Sequence, residues 1–488
     1  MIFLIAACVV SSALPLLLQT KARLAIGAVC GSSLIMFIAC TMSIPVLIYG
    51  PMSWAGGIWR LDRFAALLLL LVGFIQWTAV LVSVPYINHE LHEDAVTHKQ
   101  ASLYYALLQL FVLSMVLTLT ADSVGLMWVS LEGTTLATTT LVAFHSKAAS
   151  LEAAWKYILL CSLGISLGLL GVLLVFYAAA QAGITNPQAL NWTFLAANAS
   201  IFSPNIMRLA FIFIFIGYGT KVGLAPMHAW LPDAHGHTPS PISALLSGVL
   251  LNIALFAILR FKNLTDLAVG NSAWSNNFFL FFGALSFILP AGFIIIQRDY
   301  KRLLAYSSIE HMGFIVFSLG LGAIGRIAAI IHLIGHSLTK SMLFFGTGNI
   351  LQRYKTTVIE RIHHVIRHLP YSGTLFLIGL LMILAAPPSP LFLSELLTFS
   401  AAITQQPIAA GLLLLAGTII FAGMLSQLIP MLYSSHIHTE PVAHTTREKW
   451  GITHTVMAGH LAVIAVFGVS LMFPFAQNII LRIAESIK

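Results

Sequence analysis

Charge is what this sequence has least of. Asp, Glu, Lys and Arg make up 8% of its 488 residues, against about a quarter in an ordinary soluble domain, while 59% are hydrophobic. That balance excludes a soluble fold and predicts a polytopic membrane protein. The net charge of +8 does not imply nucleic-acid binding, because Lys and Arg of a membrane chain gather in loops and set topology. Cysteine is scarce as well. Cys8, Cys30, Cys40 and Cys161 all lie in apolar runs, with no CxxC and no Cys/His pairing, which argues against disulfides or a thiolate metal site and predicts buried free thiols. Haem, iron–sulfur and nucleotide motifs are missing, and so is HExxH. The opening "MIFLIAACVVSSALPLLL" has no basic n-region and reads as a retained helix, not a cleaved signal. No stretch between the apolar runs is long enough for a separate soluble domain.

What is there is apolar length. At about 20 residues per crossing, the chain divides into about fourteen helices near 1–18, 24–49, 62–84, 101–120, 122–145, 153–181, 206–230, 239–261, 274–297, 300–322, 324–350, 371–403, 408–434 and 453–478. Of the 24 basic residues, thirteen fall in loops after odd-numbered spans and eight on the other side. The positive-inside rule then puts the odd loops in the cytoplasm and both termini outside, in a plasma membrane of the bacterial inner-membrane type. "RYKTTVIERIHHVIRH" reads as a cytoplasmic interfacial helix. His436, His438 and His444 read as a solvated loop in preference to a metal site.

Three lysines remain: Lys156, Lys221 and Lys340. Lys156 lies in the first turn of its span and can snorkel. The other two are deep, where a charge costs about 2.5–3.5 kcal/mol. Glu132 in the fifth span, Glu310 beside His311 in the tenth and Glu395 in the twelfth are also deep. In the eleventh span His332, His336 and Lys340 recur every four residues, on one helix face. Such groups are the parts of a proton relay. Each also has a plainer reading, in which a deep Lys or Glu locks two helices together or a histidine packs with its hydrogen bonds satisfied.

The seventh and twelfth spans, "GYGTKVGLAPMHAWLPDAHGHTPSP" and "LAAPPSPLFLSELL", are interrupted by prolines, each within five residues of an ionisable group: Lys221 before Pro226, Glu395 after Pro390. A broken helix in lipid lines a protein-buried or wet cavity. Two breaks five spans apart suggest two inverted five-helix repeats, about 101–261 and 274–434, flanked by 1–84 and 453–478, within one transmembrane domain. His228, His235 and His237, around the first break, read as structural or gating residues.

"KVGLAPMHAWLPDAHGHTPSPISALLSGVLLNIALFAILRF", "SSIEHMGF" and "HSLTKSMLFFGTGN" together resemble the antiporter-like, proton-conducting membrane subunits of complex I, Mrp antiporters and group 4 hydrogenases. The wording is most similar to hydrogenase-4 component F and its relatives, and the resemblance covers essentially the whole chain. It implies proton transfer through Glu132, Lys221, His311, His332, His336, Lys340 and Glu395, with His228, Asn252, Glu310 and Lys156 as weaker candidates. Asn252 stands where many complex I chains carry a bridging lysine, and an amide cannot hold an excess proton. The resemblance also implies partners: other antiporter-like subunits and a peripheral redox arm, which would hold any iron–sulfur, nickel–iron, flavin or quinone centre, since none is expected on this chain. The expected function is a non-redox, proton-translocating subunit of such an oxidoreductase complex. A Mrp-like cation/proton antiporter is the alternative on the same residues.

Overall fold

The computed structural model describes residues 1–18, 20–184, 186–433 and 447–487; His436, His438 and His444 lie outside the described residues. The chain is an all-α, multi-pass membrane protein. All the apolar segments predicted above fall on helices. The first six are α1 (Ile2–Leu17), α2 (Lys21–Tyr49), α3 (Arg63–His92), α4 (His98–Thr120), α5 (Val124–Val142) and α6 (Ala148–Gln181). A short α7 (Trp192–Asn198) precedes α8 (Pro204–Val222) and α9 (Trp230–His237). Next, α10 (Ser240–Leu245) runs through a π-helical turn at Leu246–Leu250 into α11 (Leu251–Val269). Then come α12 (Ala273–Ile296), α13 (Tyr300–Gly320), α14 (Gly322–Tyr354), the single-turn α15 (Val365–His368), α16 (Pro370–Ile383), α17 (Pro390–Gln405), α18 (Pro407–Tyr433), α19 (Ile452–Ser470) and α20 (Pro474–Ser486). A two-stranded hairpin, β1 (Met52–Trp54) and β2 (Trp59–Leu61), joins α2 to α3. Among the described residues, eleven helical stretches are long and apolar enough to cross a bilayer alone.

Helix ends are set by local chemistry. Asp62 caps α3 at the Ala65 amide, 2.9 Å, and Asp299 caps α13 at the Lys301 and Arg302 amides. Both prolines breaks are real. Helix α8 stops at Gly223, whose φ of +80° is the left-handed cap conformation that glycine adopts without penalty. The groups freed there find partners. The Trp230 indole donates to the Thr220 carbonyl at 2.7 Å, and the Ala225 amide donates to Ser286 Oγ at 2.9 Å. At the second break the Ser389 hydroxyl donates to the Met382 carbonyl. Non-helical backbone thus survives at membrane depth because protein groups satisfy it.

Burial decides where ionisable groups can sit. The apolar windows of α13 and α14 are each 94% buried and that of α10–α11 is fully buried, against 28% for α2 and 33% for α18 and α19. Helices α10, α11, α13 and α14 therefore form the centre, α3, α4 and α8 pack around it at 78%, 72% and 61% buried, and α2, α6, α12, α18 and α19 face outward. Helix α8 reaches α6 closely because Gly217 meets Gly164 and Gly168: a Cβ on Gly217 would lie 2.4 Å from the Gly168 amide nitrogen. This crossing brings the end of α8 against α5 and α6.

Three expectations are corrected. Residues 353–368 do not form an interfacial helix. After α14 the chain pairs with 298–300 instead, through Tyr300 N to Thr357 O and Ile359 N to Arg298 O, and the β-branched run Thr356–Val358 suits that extended backbone. The last predicted span ends at Ser470, and Pro474 starts the separate helix α20. The cysteines are all free, with Cys8 and Cys161 buried, but Cys30 is exposed on the outward-facing α2.

Candidate functional site

The ionisable residues fall into two buried groups. The first is at the end of α8. Lys221 is fully buried. Its Nζ donates to the Leu131 carbonyl at 3.1 Å and to the Thr135 hydroxyl, both on α5. Thr135 Oγ1 in turn donates to Glu132 Oε2 at 3.1 Å, and Ser162 on α6 donates to Glu132 Oε1 at 2.8 Å. Lys221 and Glu132 are therefore joined through one hydroxyl and are not in direct contact. Tyr157 on α6 closes the group: its hydroxyl lies 2.7 Å from Thr138 Oγ1 and its ring packs on Trp230.

The second group lies between α13, α14 and α17. Lys340, also fully buried, donates to the Leu304 carbonyl at 2.6 Å and to the Ser307 hydroxyl on α13. This is the same cradle as at Lys221: one backbone carbonyl and the hydroxyl about one helical turn further on. The expected face of α14 is present. His332 Nε2 lies 2.9 Å from His311 Nδ1, and His332 Nδ1 lies 2.8 Å from Ser394 Oγ on α17. The His336 ring packs 5.2 Å from that of His311 between centroids, and both its nitrogens are buried with no partner among the described residues. Glu310 Oε2 is 3.4 Å from His311 Nε2. Glu310 and Glu395 together line a cavity of about 280 Å³ between α12, α13, α16, α17 and α18.

Lys221 and Lys340 enter no ion pair among the described residues. Lys156 is different. It is half exposed and bridges Glu152 at 2.7 Å and Asp233 at 3.1 Å, and Asp233 also pairs with Arg302. This is a surface ion network apart from both groups. Half-buried His228 lies in the first break against Phe293. Asn252 stands at the α11–α14 contact. Its Nδ2 donates to the Gly248 carbonyl at 3.0 Å and to Ser337 Oγ at 2.9 Å, while its Oδ1 is buried without a partner.

Two residues of interest escaped sequence reasoning in their roles. Lys301 counts as a loop cation in the sequence, yet it is buried, and its Nζ donates to the Thr238 carbonyl at 2.6 Å. It sits at the floor of a cavity of about 660 Å³, also lined by Glu90, His145 and His237. His235, fully buried and stacked on Phe344 at 5.0 Å, has no partner on either nitrogen among the described residues. Phe344, on which His235 stacks, lies one turn along α14 from Lys340. The only sequence signal for Lys301 is its place in the first turn of a span. Among the described residues no cluster of three or more His, Cys, Asp or Glu is arranged to hold a metal ion.

Residues 121–422 match the family described as NADH:quinone oxidoreductase/Mrp antiporter, transmembrane. This range holds every residue of both groups. The chain is 40% identical over 359 residues to a hydrogenase-4 component F homolog of Methylacidiphilum infernorum, covering 73% of this chain and 75% of the relative. In fold it is similar to a chain of the archaeal membrane-bound sulfane sulfur reductase complex (TM-score 0.85, 23% identity, 100% and 97% of the two chains covered). It is also similar to a chain of the Mrp complex from Dietzia sp. DQ12-45-1b (TM-score 0.80, 18% identity, 99% and 97% covered).

Proposed function

This chain belongs to the NADH:quinone oxidoreductase/Mrp antiporter transmembrane family, and we propose on that premise that it is a non-redox, proton-translocating membrane subunit of a hydrogenase-type or respiratory oxidoreductase complex. The observation that carries this is the cradle around each buried lysine. A lysine paired with a carboxylate is pinned in its charged form, because losing the proton would leave the acid buried without its counter-ion. Lys221 and Lys340 instead rest on a carbonyl and a hydroxyl. A carbonyl accepts from either NH₃⁺ or NH₂, and a hydroxyl can turn from acceptor to donor. Each cradle therefore serves both protonation states.

At Lys221 that turn carries information. While the lysine is charged, Thr135 accepts from it and gives its own hydrogen to Glu132. When the lysine is neutral, the same hydrogen can go to Nζ, and Glu132 Oε2 loses its donor. One hydroxyl rotation thus couples the two groups. A hydrogen bond involving a charged group is worth about 1.5–3 kcal/mol, and moving one charge against 100 mV costs about 2.3 kcal/mol, so the device has the strength to gate one proton.

In this reading protons enter from the cavity at Glu90 and His145 and pass Lys301 and His235 to Lys340. From there His336, His311 and His332 carry them to the Glu310–Glu395 cavity, which opens outward. Lys221 and Glu132 form the coupled switch of the other half, and Asn252 stands between the halves as a hydrogen-bonding bridge that holds no proton itself. The architecture is fourteen spans with two inverted repeats near 101–261 and 274–434. Both termini lie outside a bacterial-type plasma membrane, and the large cavity is on the cytoplasmic side. Partners are further antiporter-like subunits and a redox arm that holds the cofactors.

The test is gentle purification from native membranes, as wild type and as Lys221→Met. Hydrogenase or flavoprotein subunits should copurify with both, and Lys221→Met should abolish proton translocation in the assembled complex. A chain that comes out alone, or with transporter-like partners only, would establish the Mrp-like antiporter instead.

A further inference from the structure

We propose that the chain holds one anionic phospholipid in a groove formed by α2, α3, α14, α19 and α20, with the headgroup phosphate bound by Arg63 and Arg482. The groove encloses about 440 Å³, and every lining side chain except Ser470 is apolar. It runs along α2 from Met36 to Leu47, eleven residues or about 16 Å of helix. The hydrocarbon core is about 30 Å thick, so the groove spans one leaflet. A partner's membrane-crossing helix would need twice that depth, whereas a single acyl chain fits.

The mouth is basic. Arg63 continues the lining face of α3, one turn before Leu67, and its guanidinium lies 3.4 Å from where a Cβ on Gly50 would stand. Arg482 on α20 donates to the Ile48 carbonyl at 3.1 Å. Both guanidinium groups therefore converge on the end of α2, next to Leu47, the last groove residue on that helix. Neither pairs with an acid among the described residues, and Arg63 Nε is buried without a partner. Two unpaired arginines at the polar end of a one-leaflet apolar groove match a phosphate esterified to an acyl chain. Neither group of the ion path touches this site, so the inference stands independently of the proposed function.

The experiment is native mass spectrometry of the full chain, titrated with phosphatidylglycerol and with phosphatidylcholine. One phosphatidylglycerol should bind in preference. Each arginine near the surface contributes about five-fold to affinity for an anionic lipid, so R63Q/R482Q should weaken phosphatidylglycerol by about 30-fold and leave phosphatidylcholine unchanged. R63K/R482K should retain most of the binding. Leu70→Trp, which fills the groove with both arginines intact, should remove it. Equal binding of the two lipids by wild type, or an unchanged R63Q/R482Q, overturns the proposal. So does displacement by inorganic phosphate, which would mark an anion site without a lipid tail. A Leu70→Cys cross-link to a neighbouring subunit in the intact complex would overturn it as well.

Discussion

Replacing Thr135 by Val tests the switch at its narrowest point. Valine keeps the branched shape and removes only the hydroxyl, so α5 and its packing should persist. In the structure that hydroxyl receives the Lys221 ammonium and donates to Glu132 at 3.1 Å. Both bonds involve a charged group, each worth about 1.5–3 kcal/mol. If one of them governs the transfer step, proton translocation should fall about 10- to 150-fold. The assay is proton uptake into vesicles carrying the assembled complex, with subunit content checked on the same sample. Thr135→Ser should restore most of the rate, because it returns the hydroxyl. A double-mutant cycle read from unfolding free energies sharpens the test: the coupling between Glu132→Gln and Lys221→Met should largely vanish in the Thr135→Val background. An assembled Thr135→Val complex that pumps within two-fold of wild type would refute the reasoning. It would mean that Lys221 and Glu132 communicate by another route, such as direct approach of the two side chains.

The second cradle should behave alike: Ser307→Ala should slow translocation by a similar factor in the same vesicle assay, and a normal rate would separate Lys340 from the path. Asn252→Leu should dissociate stability from function. It removes a buried carbonyl oxygen that has no partner among the described residues, which offsets the loss of the bonds to Gly248 and Ser337, so the unfolding free energy should stay within about 1 kcal/mol of wild type while translocation falls. Glu448 gives a pH test outside the membrane. Burial works against its charge, but His454, the Ser372 hydroxyl and the Tyr371 amide outweigh that and hold its carboxyl below the ordinary 4.5. A carboxyl held low in the folded state stabilises above its unfolded value and loses that stabilisation as pH falls through its folded value. Glu448→Gln should therefore lower the unfolding free energy at pH 7, by roughly 1–3 kcal/mol, with the gap closing as pH falls below the ordinary 4.5 and through the lower folded value; a gap that is independent of pH would show that the clamp does not depend on charge.

How much of this was legible in the sequence follows from what each signal measures. Apolar length located the spans because desolvation acts on every residue of a crossing helix. Proline located both breaks because the missing amide is a local fact. The spacing of His332, His336 and Lys340 put them on one face of their helix, since helical periodicity is local too, and that face meets α13. Where the reading depended on a neighbour, it failed. Residues 353–368 carry helical-looking charge spacing, but their backbone is claimed by 298–300. Lys301 looks like any loop cation until α9 and α10 are laid over the start of α13. Thr135 is one of five threonines in "GTTLATTT", and nothing local distinguishes it from the others.

The same distinction explains why the two lysines look unrelated in sequence and alike in space. Lys221 ends one helix and Lys340 lies within another, yet each ammonium meets a carbonyl and a hydroxyl of a facing helix, at Leu131/Thr135 and at Leu304/Ser307. That recurrence has a physical reason. In a helix interior the carbonyl oxygen keeps a second lone pair after its helical bond, and a Ser or Thr one turn further on stands beside it on the same face. A buried lysine can be held there without a carboxylate, and therefore without the large penalty of separating a buried ion pair. Such a cradle serves a mid-membrane lysine that changes charge, whereas one that never discharges gains more from an acid. Lys156, tied to Glu152 and Asp233 at the surface, is the counterexample inside the same chain. Lys156→Met should therefore cost surface pairing of about 0–1 kcal/mol and leave translocation intact, where Lys221→Met and Lys340→Met abolish it. A Lys156→Met complex that assembles but does not pump would break the rule that the partner, acid or hydroxyl, separates structural from conducting lysines.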